Sequence, residues 1–366
     1  MKSLYRILLL PAIWLFVLAS CGDNGKKSNQ NEPIEIYDPQ YATGFRILYY
    51  QDYKVLETKK ERYYLFKDRK TKVEKDSIVI RIPVNSMACM AQSQWAAAVI
   101  LGEMESITGM CDAKYIHDSL FRERLSAGLI KNIAVNQTIN YELLLTLQPQ
   151  LLMLSFDNMQ SIGMLQNIGI PVIVNSDFLE NHPLGRAEWL IFIAALYDKD
   201  EQAKEFFNRS VQRYHAFAEL ATTEHYRPTV FDGSEANGIW YVSGGQSYMA
   251  RFYQDAGADY LWKQNNDAAS IPLDFEAVYY KGLSADFWRA YLPYAKDYDE
   301  LKRENSHYAD LKAWKERKIF YCDNLHTDLF GIGVYQPEVI LADMIKVFYP
   351  ARLPEHQPKY YDFLKE

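Results

Sequence analysis

The stretch Asn140-Tyr141-Glu142-Leu143-Leu144-Leu145-Thr146-Leu147-Gln148-Pro149-Gln150-Leu151-Leu152-Met153-Leu154 reads as a short helix running into a buried strand. Asn140 suits a helix cap, because its side chain can accept from the free N–H groups of the first turn. Pro149 cannot continue the helix. The run Gln150–Phe156 is apolar enough for a strand covered on both faces. The pattern recurs once: Asp274-Phe275-Glu276 opens a helix that leads into the run Ala285–Ala290. Each unit has a capping residue, an aromatic and then a glutamate in the first helical turn.

Outward from these units, strand-like and helix-like runs alternate. Before the first unit come Ser77–Ile82 (strand), Gln92–Leu101 (helix, closed by Gly102) and Ser106–Met110 (strand). After it come a helix near Met159–Asn167 and the strand Pro171–Asn175. A long helical stretch, Arg186–Ala221, is interrupted near Asp198-Lys199-Asp200, and the alternation then restarts. Thr229–Phe231, Ile239–Val242 and Lys318–Cys322 read as strands; Ser247–Ala256 and Pro337–Phe348 read as helices. Such alternation predicts parallel sheets covered on both faces. The expected fold is therefore α/β, with two lobes joined by a long helix. Two Tyr-, Ile- and Val-rich runs between Phe45 and Phe66 add an N-terminal β-hairpin. The expected organisation is a signal segment at 1–20 and a tether at 21–40. An N-terminal lobe (41–185), an interlobe helical segment (186–222), a C-terminal lobe (223–350) and a tail (351–366) follow.

The N-terminus fixes a compartment. Lys2 and Arg6 precede the apolar run Ile7–Leu18, which is the layout of a secretory signal. The run is shorter than the roughly 20 residues a spanning helix needs. Leu18-Ala19-Ser20-Cys21 resembles a lipobox, the bacterial lipoprotein motif lipidated on cysteine and cleaved before it, which implies lipid on Cys21. The expected location is the periplasm, lipid-anchored to a membrane of a Gram-negative envelope. The formal net charge is −7, and loss of residues 1–20 would make it two units more negative. That balance argues against nucleic acid and against electrostatic attachment to anionic lipid. Aromatic residues make up 14 %, with 28 tyrosines, which points to a binding surface beyond the core.

In order and spacing the chain resembles the substrate-binding proteins of ABC importers that carry vitamin B12, haem and ferric siderophores. The resemblance runs from about Asp76 to Phe348. It rests on Leu101-Gly102 with Ile107-Thr108-Gly109-Met110, and on Asn140-Tyr141-Glu142 through Gln150-Leu151-Leu152, where Gln150 stands in place of the usual aspartate. Gly169-Ile170-Pro171-Val172, and Ser243-Gly244-Gly245-Gln246-Ser247 with Asp255-Ala256-Gly257-Ala258, complete it. The resemblance implies two α/β lobes bridged by a rigid helix, a metal chelate held in the cleft as cargo, and no cofactor. It also implies permease and ATPase subunits as partners, and a monomer is expected. Glu142 and Glu276 match the glutamates that dock B12-binding members into arginine pockets of the permease. First-turn glutamates are also favoured by the helix dipole alone. The tryptophans that line the B12 cleft have no counterpart, with Asn136 or Gln137 and Pro272 near their places.

Ligands of open α/β sheets sit beyond the carboxyl ends of the strands. This rule selects the loops Pro83–Gln92, Cys111–Asp118, Ser243–Ser247 and Cys322–Gly331. Candidate ligand contacts are Met87, Met90, Tyr115, Trp240, Tyr241, Gln246 and His326, with Asn85, Ser86 and His117 beside them. Aromatic and thioether groups suit a large planar chelate; the histidines could also be plain surface residues. Cys89 and Cys111 follow what read as the first two strands of the N-terminal lobe. If those strands are neighbours about 4.8 Å apart, a disulfide is within reach, and the alternative is soft metal ligation with Cys322. Two other function classes have weaker support in the sequence. A hydrolase would want G-x-S-x-G, and neither Gly233-Ser234 nor Gly245-Gln246-Ser247 supplies it. A receptor for a bare metal ion needs converging His and acidic ligands, and the seven histidines are scattered.

Overall fold

The computed structural model describes residues 32–68, 77–116, 118–155, 164–165, 169–292, 297–324 and 326–365. The signal segment, Cys21, His117 and most of the expected helix Met159–Asn167 lie outside the described residues. Three sheets organise the rest.

The first sheet is larger than the expected hairpin. Its strands β1 (Glu35–Tyr37), β2 (Phe45–Tyr49), β3 (Tyr53–Thr58), β4 (Arg62–Phe66) and β5 (Ile78–Arg81) follow one another in space as in sequence. The first four pair antiparallel; β5 pairs parallel to β4, with Tyr63 opposite Ile78. The run Ser77–Ile82, expected to open the N-terminal lobe, thus forms the edge of this extra sheet instead. The sheet is bound to the helices behind it by buried carboxylates. Glu188 Oε1 and Oε2 together accept from Tyr37 Oη (2.7 Å) and from the backbone N–H groups of Gln40, Tyr41 and Ala42 (each 2.8 Å). Glu180 does the same for Thr43, Gly44 and the Trp189 indole. Burying a carboxylate without such partners would cost several kcal/mol, so the sheet and the helices form one body.

The second sheet contains β6 (Met87–Cys89), β7 (Ile107–Cys111), β8 (Lys131–Val135), β9 (Thr138–Ile139), β10 (Leu151–Leu154) and β11 (Val172–Val174), in the order β11-β10-β6-β7-β8-β9. All pairs are parallel except β8 with β9. Helix α1 (Gln92–Ile100) ends at Gly102, whose φ of +72° favours glycine. Helices α2 (Ser119–Ser126) and α3 (Tyr141–Leu147) follow. Asn140 caps α3 as expected, accepting from Leu143 N at 3.0 Å.

The expected interlobe helix is two helices, α4 (Pro183–Ala195) and α5 (Asp200–Thr222), packed against each other. The break falls at the expected place, where Asp198 takes a φ of +58°.

The third sheet contains β12 (Thr229–Ala236), β13 (Ile239–Ser243), β14 (Asp259–Tyr260), β15 (Ser270–Asp274), β16 (Phe287–Ala290), β17 (Ile319–Tyr321) and β18 (Asp362–Phe363). Its order is β15-β13-β12-β16-β17-β18, with β14 also on β12. The core pairs β12–β16 and β16–β17 are parallel. The C-terminal tail contributes β18, which pairs antiparallel to β17. Around the sheet lie α6 (Tyr248–Asp255), α7 (Phe275–Gly282), α8 (Tyr298–Glu304), α9 (Lys312–Lys315) and α10 (Pro337–Phe348). Asp274 holds the cap position of α7, but its side chain makes no cap hydrogen bond. The fold is α/β with two sheet-containing lobes, as expected, plus the extra N-terminal sheet.

Among the described residues, Cys89, Cys111 and Cys322 are free and buried. Cys89 and Met110 pack on one face of the second sheet, while Cys111 packs on the other with Ala88 and Met90. The expected Cys89–Cys111 disulfide therefore does not form: neighbouring strands put the two thiols on opposite faces.

Candidate functional site

The strand ends of the third sheet wall a cavity of about 1100 Å³. Its floor is built around Asp232 on β12, which is fully buried. The Asp232 carboxylate accepts from Ser243 N (3.0 Å), Ser243 Oγ, Tyr253 Oη (3.0 Å) and Tyr260 Oη (2.8 Å). Arg289 stands opposite it in register on β16, with Nη1 3.4 Å from Oδ2. The next residue, Gly233, has a φ of +91°, and a Cβ there would fall 1.8 Å from the Tyr241 carbonyl oxygen. Only glycine lets β12 and β13 close this corner.

The walls are apolar and aromatic. Phe178 and Leu179 come from the turn after β11; Tyr241, Tyr291 and Phe330 come from the third sheet and its loops. These five side chains are between 43 and 66 % exposed, a large apolar surface to leave open to solvent. The polar lining includes Glu180, Glu235, Glu304, Tyr248 and Tyr308, with serine and asparagine side chains between them. Tyr308 packs edge-on against Trp288, with centroids 5.0 Å apart, and so links the wall to the aromatic core beneath.

Of the expected ligand contacts, the cavity takes Tyr241. Met87 and Met90 are core side chains, 0 and 3 % exposed, because both lie on or directly after β6 in the middle of the second sheet. Trp240 is also core. It faces the opposite side of β13 from Tyr241, packs at tilted angles against Phe231, Phe275 and Trp288, and donates to the Asp232 carbonyl at 2.9 Å. Gln246 is exposed and lines a separate hollow of about 350 Å³. Tyr115 and His326 are exposed and do not line the main cavity; His326 Nδ1 meets Asp323 Oδ2 at 2.7 Å. Sequence reasoning missed Phe178, Leu179, Asp232, Arg289, Tyr291 and Phe330. A usable signal existed for one of them: Arg289 is a charge inside the otherwise apolar run Phe287–Ala290. Among the described residues, no group of three or more His, Cys, Asp or Glu side chains is arranged to hold a metal ion.

Glu142 and Glu276 are exposed in the first turns of α3 and α7. Each helix feeds a strand in the interior of its sheet, β10 and β16 respectively, so the two glutamates hold equivalent places in the two lobes.

Residues 88–325 match the model of a family described as periplasmic binding protein. An uncharacterized lipoprotein of Methanocaldococcus jannaschii is 23 % identical, covering 96 % of this chain and 94 % of its own. Among solved structures, a periplasmic heme binding protein from Pseudomonas aeruginosa superposes with a TM-score of 0.60 at 16 % identity, over 77 % of this chain and 99 % of its own. A possible iron-binding (periplasmic solute-binding) protein from Staphylococcus epidermidis gives 0.57 at 16 %, over 73 and 99 %. Both structures are matched almost whole, and the first sheet lies outside the residues matched by the family model. Two sheet-containing lobes, a large cavity at the strand ends and the match over residues 88–325 agree: this chain belongs to the periplasmic binding protein family.

Proposed function

We propose that this chain is the lipid-anchored receptor of an ABC importer, which captures a large, partly apolar metal chelate and delivers it to a permease. Ferric siderophore, haem and cobalamin are the candidate cargoes. The carrying observation is the grouping of five exposed apolar side chains around one cavity of about 1100 Å³. Sites for small molecules are concave and mostly apolar, with a few placed polar groups, and this volume suits a ligand of chelate size. The family is one of solute-binding proteins, and relatives of this fold include proteins described as binding haem or iron.

Cys21 carries the anchor in this reading, and Glu142 and Glu276 carry the docking. Cys21→Ala should abolish fatty-acid labelling. Glu142→Ala with Glu276→Ala should lower uptake sharply while leaving ligand affinity unchanged, because rim charges act on association and specificity. Titration of the purified protein with haem, cobalamin and ferric siderophores, followed by absorption and Trp fluorescence, tests the reading. Submicromolar binding of one of them is expected. Binding of a sugar or peptide instead, with no chelate bound, contradicts it.

A further inference from the structure

Two of the apolar walls of the cavity stand on one polar seam where the lobes meet. Phe178 and Leu179 directly follow Asp177, and Phe330 lies between Asp328 and Tyr335. Against them pack Gln92 and Ser93, which open α1 in the lobe of the second sheet, and Arg186 in the first turn of α4. Part of the seam is closed. Gln92 Nε2 donates to Asp328 Oδ1 at 2.8 Å across the lobes, and Asp328 Oδ2 accepts from Ile332 N at 2.9 Å. Asn175 Oδ1 accepts from Asp177 N at 3.1 Å. The rest is slack. Arg186 Nη2 stops 3.8 Å from Asp177 Oδ2, although Asp177 is only 3 % exposed. Asn175 Nδ2, Asp177 Oδ2 and Arg186 Nε are buried without hydrogen-bond partners, and Tyr335 Oη lies beside Ser93 without closing a bond of good geometry. Unmade hydrogen bonds in the interior are costly, and a buried charge pair is favourable only in close geometry. The Arg186 guanidinium leans instead on the Tyr248 ring, 4.8 Å from its centroid, beside a hollow of about 20 Å³ that Phe330 and Val334 also line. A charge-assisted N–H···O contact closes to about 2.8 Å, so a shift of roughly 1 Å seats Asp177 on the Nε and Nη2 fork of Arg186.

Resting on the reading of the cavity as a chelate site, we propose that this seam is a switch that senses occupancy. Cargo seated against Phe178, Leu179 and Phe330 moves the turn Asp177–Leu179 towards α4. Asp177 then closes on Arg186, and Ser93 and Gln92 carry the shift to α1 in the other lobe. Packed interfaces change between discrete arrangements rather than deform smoothly, and the seam holds the unmade bonds that a second arrangement makes. Cargo drives the change only as far as it binds the closed arrangement more tightly than the slack one.

The test is a pair of crystal structures of the purified protein, alone and with whichever of three probes binds: ferric protoporphyrin IX, cyanocobalamin or a ferric tris-catechol complex. With probe in the cavity, Asp177 Oδ2 and the Arg186 fork should stand about 2.8 Å apart. Hydrogen exchange in the segment Ala88–Ala98, which does not line the cavity, should slow about tenfold on binding. Asp177→Asn keeps the shape of the side chain and removes its charge. It should weaken probe binding about tenfold, the size expected for a hydrogen bond to a charged group, and abolish the slowing at Ala88–Ala98. A merely structural role for Asp177 would lower stability and leave that slowing in place. If Asp177→Asn does not fold, Arg186→Lys, which keeps the charge and loses the fork, should show part of both effects. A probe bound in the cavity with the Asp177–Arg186 gap unchanged, bridged by water or not, overturns the switch while the chelate reading stands. So does unaltered exchange at Ala88–Ala98. If none of the three binds in the cavity, the chelate reading falls, and the switch resting on it falls too.

Discussion

The second and third sheets are built on the same parallel plan and put to different uses. In the second, Met87, Ala88, Cys89, Leu151, Leu152 and Met153 are all fully buried, with apolar packing on both faces. In the third, the equivalent interior strands β12 and β16 carry Asp232 and Arg289, and the loops beyond them form a cavity wall. A parallel sheet covered on both faces has little reason to hold charge. Where it does hold charge, stability has been exchanged for a site. The second sheet is apolar throughout its interior strands, and the third carries the buried charges that border the cavity.

The largest expected effect breaks this comparison at its centre. Asp232→Ala leaves Arg289 buried without its carboxylate and removes the acceptor of two tyrosine hydroxyls. Denaturant unfolding should show a loss of roughly 3–5 kcal/mol. Met87→Ala in the second sheet should cost about 2–5 kcal/mol through its cavity alone, with ligand affinity of the folded protein unchanged. A change in affinity in Met87→Ala would show that the second sheet is more than scaffold.

A smaller effect sharpens the role of the helices between the sheets. His182 caps α4, its Nδ1 accepting from Leu184 N at 3.1 Å. Burial, and then Arg251, hold its pKa down at about 4. The unfolded chain takes up the proton at its ordinary value near 6.5, so the unfolded state binds more protons between pH 6.5 and 4. Stability is thus full above pH 6.5 and falls as pH drops towards 4, by roughly 1–2 kcal/mol after allowing for partial exposure. His182→Asn keeps an acceptor and cannot titrate, so it should flatten that limb of the stability curve.

The smallest effect concerns the thiols. Burial pushes the Cys89 thiol far up, Cys111 to about 12 and Cys322 to about 11. Native protein at pH 8 should resist iodoacetamide, and Cys322 should react first as pH rises, read by mass spectrometry. A Cys89–Cys111 link in a non-reducing peptide map would contradict the placement of the two residues on opposite faces.

The helices of the fold were legible because their caps and stops are local. Asn140, Pro149, Gly102 and the break at Asp198–Asp200 all act within a few residues. The strand β6 was not legible, since Met87-Ala88-Cys89 has no β-branched residue and takes its conformation from β7 and β10 on either side. The β-branched run Ile78–Arg81 is the stronger strand signal, although among the described residues it pairs with β4 alone. Strand alternation put Trp240 and Tyr241 on opposite faces of β13, but which face meets the cavity depends on pairing with β12 and β15. The cavity itself gathers Phe178, Arg289 and Phe330 from positions far apart in the chain, and no spacing rule connects them.

The central claim is that ligand sits against the third sheet, and paired substitutions test it most directly. Chelate affinity should be measured for Tyr241→Ala with Phe330→Ala, and separately for Tyr115→Ala with His326→Ala. The account predicts a loss of about tenfold or more for the first pair, from the buried apolar area removed, and no change for the second. Undiminished affinity in the first pair with a loss in the second would contradict it and move the site to the other strand-end loops.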